Sequence, residues 1–263
     1  MLNTMVSRSA ASEGFPVSAF TRQSNSRISP YGLPEGDHCV SSALRAHGPS
    51  SLGDASLAKL DRIAHTTAYP EGAVLFVEGQ IPRGVYVLCQ GRVKLMTTSR
   101  DGKTLIMRIV QSGEILGLQS MVTGKPYDFT VETLQPSQLA FINRADFLRF
   151  LKEHTDACLH VAQQLSNECQ SAYEMVRSIG LSHSVSEKLA RLLLQWCGDG
   201  RVTADPIRLK MSLTHEEMAQ LIGTSRETVT RTLGELKKRR ILELTGSTLL
   251  IRNRAALEGL VGD

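Results

Sequence analysis

The chain has 263 residues, 41% apolar and 21% charged, with 21 glycines and 9 prolines, proportions that exclude collagen-like, low-complexity and wholly disordered chains and suit two domains. No apolar run nears the roughly 18 residues of a membrane span, and Met1 to Ser12 lacks the apolar core of a secretion signal, so a cytoplasmic protein with no membrane partner is expected. The net charge is only +4, yet residues 226–254 carry eight Lys and Arg against three Asp and Glu, and a basic C-terminal piece on a near-neutral body points to a partner rich in phosphate.

Residues 1–50 are rich in Ser, Gly and Pro (Ser7, Ser9, Ser12, Gly14, Pro16, Ser29, Pro30, Gly32, Pro34, Gly36) and show no periodicity, which predicts a mostly disordered extension. Leu57, Leu60 and Ile63 recur at helical spacing and predict a short helix over Ser56–His65. From Thr66 to Asn143 short apolar runs alternate with glycine: Val74–Val77 before Gly79, Val85–Cys89 before Gly91, then Val93–Met96. Asp101-Gly102 is a hairpin signal joining that run to Leu105–Val110. Ile115-Leu116, Phe129–Leu134 and Leu139–Ile142 follow, with no helix of crossover length between them. An antiparallel sandwich or barrel is expected, not a parallel sheet.

At Asn143 the period changes. Phe147, Leu148 and Leu151 open a helix, and a long one is predicted over Thr155–Ser182. Cys158, Leu165, Ala172 and Ile179 recur every seven residues on it, with Val161 or Ala162, Cys169, and Met175 or Val176 between them. That pattern reads as a coiled-coil seam holding a homodimer, or as a face packed on the helix's own domain. Leu189, Leu192, Leu193 and Trp196 mark a further helix over Glu187–Trp196, ended by Gly198-Asp199-Gly200, and Ile207–Met211 reads as a strand.

Thr214 followed three residues later by Glu217 is a capping box opening a helix to Ile222. Ala219, Gly223 and Val229 then stand at helix-turn-helix spacing: a small residue for close approach, a glycine for the turn, and an apolar residue to seal the pair. Thr224 or Ser225 caps a second helix to Lys238, with Val229, Leu233 and Leu236 facing inward. Arg226, Glu227, Thr230 and Arg231 share its outer face near the N-terminus, where a recognition helix meets base edges. Arg donates two hydrogen bonds to guanine and Glu accepts from the cytosine amino group, while Lys237 and Lys238 suit phosphates. Ile241–Leu244 and Thr248–Ile251, joined through Thr245-Gly246-Ser247, make a hairpin wing.

From about Ser51 to Arg254 the chain resembles the Crp–Fnr family of bacterial transcription regulators, most specifically over Leu213–Arg231. Gly113-Glu114-Ile115-Leu116-Gly117 resembles the glycine-acid turn of that family's effector-binding β-roll. The resemblance implies an α+β architecture: an N-terminal antiparallel β-roll, jelly-roll-like (51–150), a long dimerisation helix (151–183) and a C-terminal winged helix-turn-helix (184–263). It also implies a homodimer binding an inverted-repeat promoter site, with half-sites like TGTGA, and RNA polymerase as a partner. Arg226, Glu227 and Arg231 match the base-reading trio of the family's cyclic-AMP branch. Thr232 departs from it, standing where that branch has an aliphatic residue, and Leu233 is expected to cover for it.

The effector region departs further. Where the cyclic-AMP branch places an Arg-Ser pair, this chain has Tyr127 and Asp128, and a carboxylate facing the cyclic phosphate disfavours it. Gly113, Glu114, Tyr127 and Asp128 are the candidate effector-pocket residues, with Lys125 the nearest alternative cation. The iron–sulfur branch needs four cysteines, three of them before the β-roll, where only Cys39 stands. Candidate haem ligands (His38, His47, His65, Cys89 and His160) fall in no diagnostic spacing. No cofactor and no metal site is expected. The five cysteines are odd in number and scattered, so they are expected to be reduced, with Cys158 and Cys169 as small apolar packers. A cupin-like enzyme would need His and carboxylates clustered on strands, and Thr66–Asn143 has no such cluster, so an enzyme is not expected. A pure β-roll docking module would lack the winged helix.

Overall fold

A computed structural model describes residues 27–28, 30–35, 38–46, 51–181, 184–197, 207–210, 213–246 and 248–261. Two short strands, β1 (Arg27–Ile28) and β2 (Pro34–Glu35), pair with each other and precede helix α1 (Cys39–Ala46) and helix α2 (Asp54–Ile63). Eight strands follow: β3 (His65–Tyr69), β4 (Val74–Phe76), β5 (Gly84–Gln90), β6 (Arg92–Thr98), β7 (Thr104–Gln111), β8 (Ile115–Leu116), β9 (Thr130–Thr133) and β10 (Ser137–Asn143). Helix α3 (Leu118–Thr123) interrupts them after β8. They form two antiparallel sheets, ordered β3-β10-β5-β8 and β4-β9-β6-β7, as the short glycine-punctuated runs require.

Side chains alternate across each strand, so β5 serves two cores. Its Leu88 meets Val93, Val110, Val131 and Leu139 between the sheets. Val85, Val87 and Cys89 point to the other face, which α1, α2, α4 (Arg144–Glu153) and α5 (Thr155–Leu181) cover with Leu44, Leu60, Phe147, Phe150, Ala157 and Val161. Asn143 caps α4 by accepting from the Asp146 backbone N–H at 2.9 Å.

The expectation of disorder over 1–50 is corrected at its C-terminal end. Val40, Ala43 and Leu44 stand at i, i+3 and i+4 and are buried, which makes α1 part of the β-roll core. Residues 1–26 of that expectation lie outside the described residues. The expectation of reduced cysteines is also corrected, because Cys39 and Cys89 form a disulfide.

Of the two uses left open for the apolar positions of α5, packing on the helix's own domain accounts for Val161 and Leu165. Val161 is buried and Leu165 is half-buried, both packed on the β-roll core with Ala157. The outward stripe is instead Leu159, Ala162, Cys169, Tyr173 and Val176, of which Leu159, Tyr173 and Val176 are exposed large apolar groups. Cys158 and Cys169 are exposed, not packed. The side chain of Ile179 lies outside the described residues, as does the Gly198–Gly200 turn.

The C-terminal unit has α6 (Val185–Trp196), β11 (Ile207–Lys210), α7 (His215–Ile222), α8 (Arg226–Lys238), β12 (Leu242–Thr245), β13 (Thr248–Ile251) and α9 (Arg254–Glu258). β11 joins the hairpin as a third strand, in the order β11-β13-β12. Leu189, Leu193, Met218, Ala219, Val229, Leu233, Leu236 and Leu249 form its core. Leu134 and Ile109 of the β-roll also pack into this core, so the two units share an interface. No helix among the described residues is long and apolar enough to cross a membrane.

Candidate nucleic-acid interface and effector pocket

Helix α7 begins at a complete capping box: Thr214 Oγ1 accepts from Glu217 N at 3.2 Å, and Glu217 Oε2 accepts from Thr214 N at 2.9 Å. Gly223 ends the helix in the left-handed region at φ 67°, where a side chain would be strained, and this bend aims α8 across α7. Ser225, not Thr224, caps α8, accepting from the Thr228 backbone N–H at 3.3 Å. Thr224 N closes the turn onto Ala219 O at 2.9 Å.

Val229, Thr232, Leu233 and Leu236 are buried, which turns Arg226, Glu227, Thr230, Arg231 and Lys237 outward, all exposed. Thr232 does not need covering by Leu233. It is itself buried, and its hydroxyl donates to Thr228 O at 2.8 Å, so no polar group is left unsatisfied.

The Glu227 carboxyl is held below the usual range by its own backbone N–H and by the Ser225 hydroxyl, so at neutral pH it is an ionised acceptor at the helix N-terminus. Among the described residues none of Arg226, Arg231, Lys237, Lys238, Arg239 or Arg240 sits in an ion pair. Arg252 and Arg254, by contrast, are held by Glu243 and Glu258 at 2.7 Å each. Two of the eight cations counted in the sequence are therefore neutralised locally, and the free ones belong to α8 and its C-terminal turn.

His215 escaped the sequence reading. Its Nδ1 lies 2.9 Å from Thr230 Oγ1, and that hydroxyl donates its one proton to Arg226 O at 2.9 Å. The contact locks the start of α7 to the outer face of α8 and occupies the Thr230 hydroxyl within the protein.

In the β-roll, Tyr127 and Asp128 of the predicted pocket residues line a small cavity, whereas Gly113 and Glu114 stand outside its lining. Tyr127 is buried, stacks on Phe76 with centroids 3.9 Å apart, and donates to Gly84 O at 2.8 Å. Burial raises its pKa, partly offset by hydrogen bonding with the backbone of Gly84 and Arg83. Gly117 at φ 82° lets the chain pass beside it; a Cβ there would fall 2.9 Å from Tyr127 Cε1. Glu114 follows Gly113 (φ 94°), accepts from Gln111 N at 2.9 Å, and holds the Arg108 guanidinium. Arg108 also reaches Glu168 of α5 at 3.1 Å, while Gln164 bonds both backbone groups of Ile115. Arg108 and Glu168 were not foreseen. Asp128 is exposed at the rim, beside a cavity of about 40 Å³.

A β-roll seated on a long helix and followed by a winged helix-turn-helix with an unpaired cationic face defines a DNA-binding regulator. Residues 66–154 match the cyclic nucleotide-binding domain, and residues 187–260 match the Crp-like helix-turn-helix domain. The chain is 29% identical over 192 residues to a global nitrogen regulator of Synechocystis sp., spanning 72% of this chain and 85% of that protein. It is 24% identical over 188 residues to the cAMP-activated global transcriptional regulator CRP of Pasteurella multocida, spanning 71% and 90%. The structure of FixK2 from Bradyrhizobium japonicum shares the fold, with a TM-score of 0.67 at 20% identity over 76% of this chain and 98% of that one. The chain belongs to the Crp–Fnr family of transcriptional regulators.

Proposed function

We propose that the protein binds an inverted-repeat promoter site as a homodimer, reads bases with Arg226, Glu227 and Arg231, and works with RNA polymerase. The observation that carries this reading is the outer face of α8, where these side chains are exposed and, among the described residues, its cations form no salt bridge. Thr214, Thr224, Ser225 and Lys237 flank it and are assigned to the phosphates, whereas Thr230 orients the face through His215. The outward stripe of α5 (Leu159, Ala162, Cys169, Tyr173, Val176) is assigned to the second copy, which gives those apolar groups a partner. A two-fold dimer then presents two recognition helices to successive major grooves about one helical turn apart.

The same reading makes the protein a regulator without cyclic nucleotide, iron–sulfur cluster, haem or metal, and not an enzyme; it acts in the cytoplasm, where its DNA is. Tyr127 occupies the space a nucleotide would need, and the cavity of about 40 Å³ compares with roughly 300 Å³ or more for small-molecule sites. Arg108, the cation nearest the pocket, is already committed to Glu114 and Glu168. Cys89, one of the haem candidates, is in the disulfide. Selection from random DNA by the purified protein, with no ligand added, tests the reading: a dyad-symmetric motif is expected, and an asymmetric motif or a strict ligand requirement refutes it.

A further inference from the structure

Cys39 is the first residue of α1 and Cys89 lies on β5. Fifty residues separate them in sequence, yet their Cα atoms are 5.7 Å apart and the sulfurs are bonded. Cys89 is 5% exposed, whereas Cys39 sits at the partly buried edge. Two other devices hold the same helix. Asp61, its carboxylate only 6% exposed, accepts from Ser41 N at 3.1 Å in the first turn of α1 and meets His38 Nδ1 at 3.3 Å. Val40, Ala43 and Leu44 sink into the core that also seats Ala157 and Val161 of α5. The one covalent link is thus layered on a helix that is already docked, in a protein whose three other cysteines are free. A link of this kind can open without dissolving its site, because the cap and the apolar contacts keep the two sulfurs close enough to close again.

We infer that Cys39–Cys89 is a reversible redox tether that sets how firmly α1 holds the sensor core beneath the long helix. A dithiol reductant opens it in two steps. One reductant thiolate attacks Cys39 Sγ, the accessible sulfur; the Cys39–Cys89 bond breaks and Cys89 leaves as a thiolate that takes up a proton. The second reductant thiol, deprotonated, attacks its own sulfur in the mixed disulfide and expels the Cys39 thiolate, which is protonated in turn. The protein gains two electrons and two protons, and the reductant leaves as its disulfide. A disulfide oxidant reverses the sequence.

The test uses the full-length protein equilibrated in graded mixtures of reduced and oxidised dithiothreitol, quenched with a thiol-alkylating reagent and mapped by mass spectrometry. Trypsin cleavage after Arg45, within α1, is timed on the same samples. Cys39 and Cys89 should become labelled together in one two-electron transition under native conditions, and re-oxidation should restore the bond. Cleavage after Arg45 should accelerate at least tenfold on reduction, because proteolysis follows the population of the open form. Cys39→Ser should cleave at the fast rate in either redox state; should that variant fail to fold, the wild-type titration and timing still decide. Labelling of both cysteines before any reductant is added overturns the inference. So does reduction that requires denaturant, or reduction that leaves the cleavage rate unchanged.

Discussion

Lys94 lies on β6 at the junction between the β-roll and the winged helix, and replacing it with Met is the sharpest test of how the two units are joined. Its ammonium is 2.9 Å from Glu132 and 3.1 Å from Glu217, with the three side chains only 11%, 24% and 16% exposed. Glu217 is also the capping-box residue of α7, so one carboxylate bonds Thr214 with one oxygen and Lys94 with the other. Met retains the stem volume and deletes the charge, leaving two largely buried carboxylates to face each other. Breaking a fully buried pair costs roughly 3–5 kcal/mol and an exposed one under about 1 kcal/mol, so this site should lose about 2–4 kcal/mol. Burial alone lowers the Lys94 pKa, but the hydrogen bonds and charges of Glu132 and Glu217 outweigh it and leave the group above its usual value. A raised lysine pKa stabilises fully below the unfolded-state value and is lost as pH rises through the folded one. The deficit of Lys94→Met should therefore persist across neutral pH and fade only in strong alkali. The single tryptophan, Trp196, packs on the C-terminal core, so urea unfolding followed by its fluorescence reports on the winged helix. A midpoint shift equivalent to less than about 0.5 kcal/mol, the range of ordinary surface substitutions, would show that the junction is not held by this pair.

Leu159→Glu should convert the dimer to monomers in sedimentation while leaving stability nearly unchanged, since Leu159 is 54% exposed. Leu165→Glu should instead destabilise the fold by roughly 2 kcal/mol or more, because it forces a charge against the β-roll core. Tyr127→Phe should cost about 1–2 kcal/mol in thermal unfolding through the lost bond to Gly84 O, and neither it nor the wild type should release heat on titration with cyclic AMP. The pKa of Tyr127 is raised by burial and that of Tyr86 is pushed up to about 12, by burial first and then by Tyr69 and Tyr127. Their contribution is thus fully present below about pH 10 and is lost as pH climbs through the folded values, which an alkaline unfolding titration followed by tyrosine absorbance should show.

The strands from β4 onward, the long helix and the winged helix were legible because their signals are local: glycine-punctuated apolar runs, a 3.6-residue period, and the Thr214–Glu217 box. The outward set of α8 was legible for the same reason, since Val229, Leu233 and Leu236 leave only one side for Arg226, Glu227 and Arg231. Other parts were not. Helix α1 hides in a Ser- and Gly-rich stretch, and its i, i+3, i+4 triplet is too short to stand out until Cys89, fifty residues on, gives it a partner. The division of α5 between two apolar faces was also hidden, because periodicity does not say which residues the helix's own domain claims, here Ala157, Val161 and Leu165. The filling of the pocket was equally hidden. That Tyr127 stands where a cation was wanted is visible in sequence, but its stack on Phe76 and the Arg108 bridge from Glu114 to Glu168 join residues from β4, β7, α5 and two loops.

Base reading by the outer face of α8 is what assigns this protein its DNA specificity. Fluorescence anisotropy on the selected inverted repeat, comparing wild type with Arg226→Ala against sites in which each guanine is replaced in turn, tests it most directly. Arg226→Ala should cost roughly 1–3 kcal/mol per half-site and abolish discrimination at one symmetric guanine, while Lys237→Ala should weaken all sequences alike and flatten the salt dependence. Unchanged discrimination at every position in Arg226→Ala would contradict it.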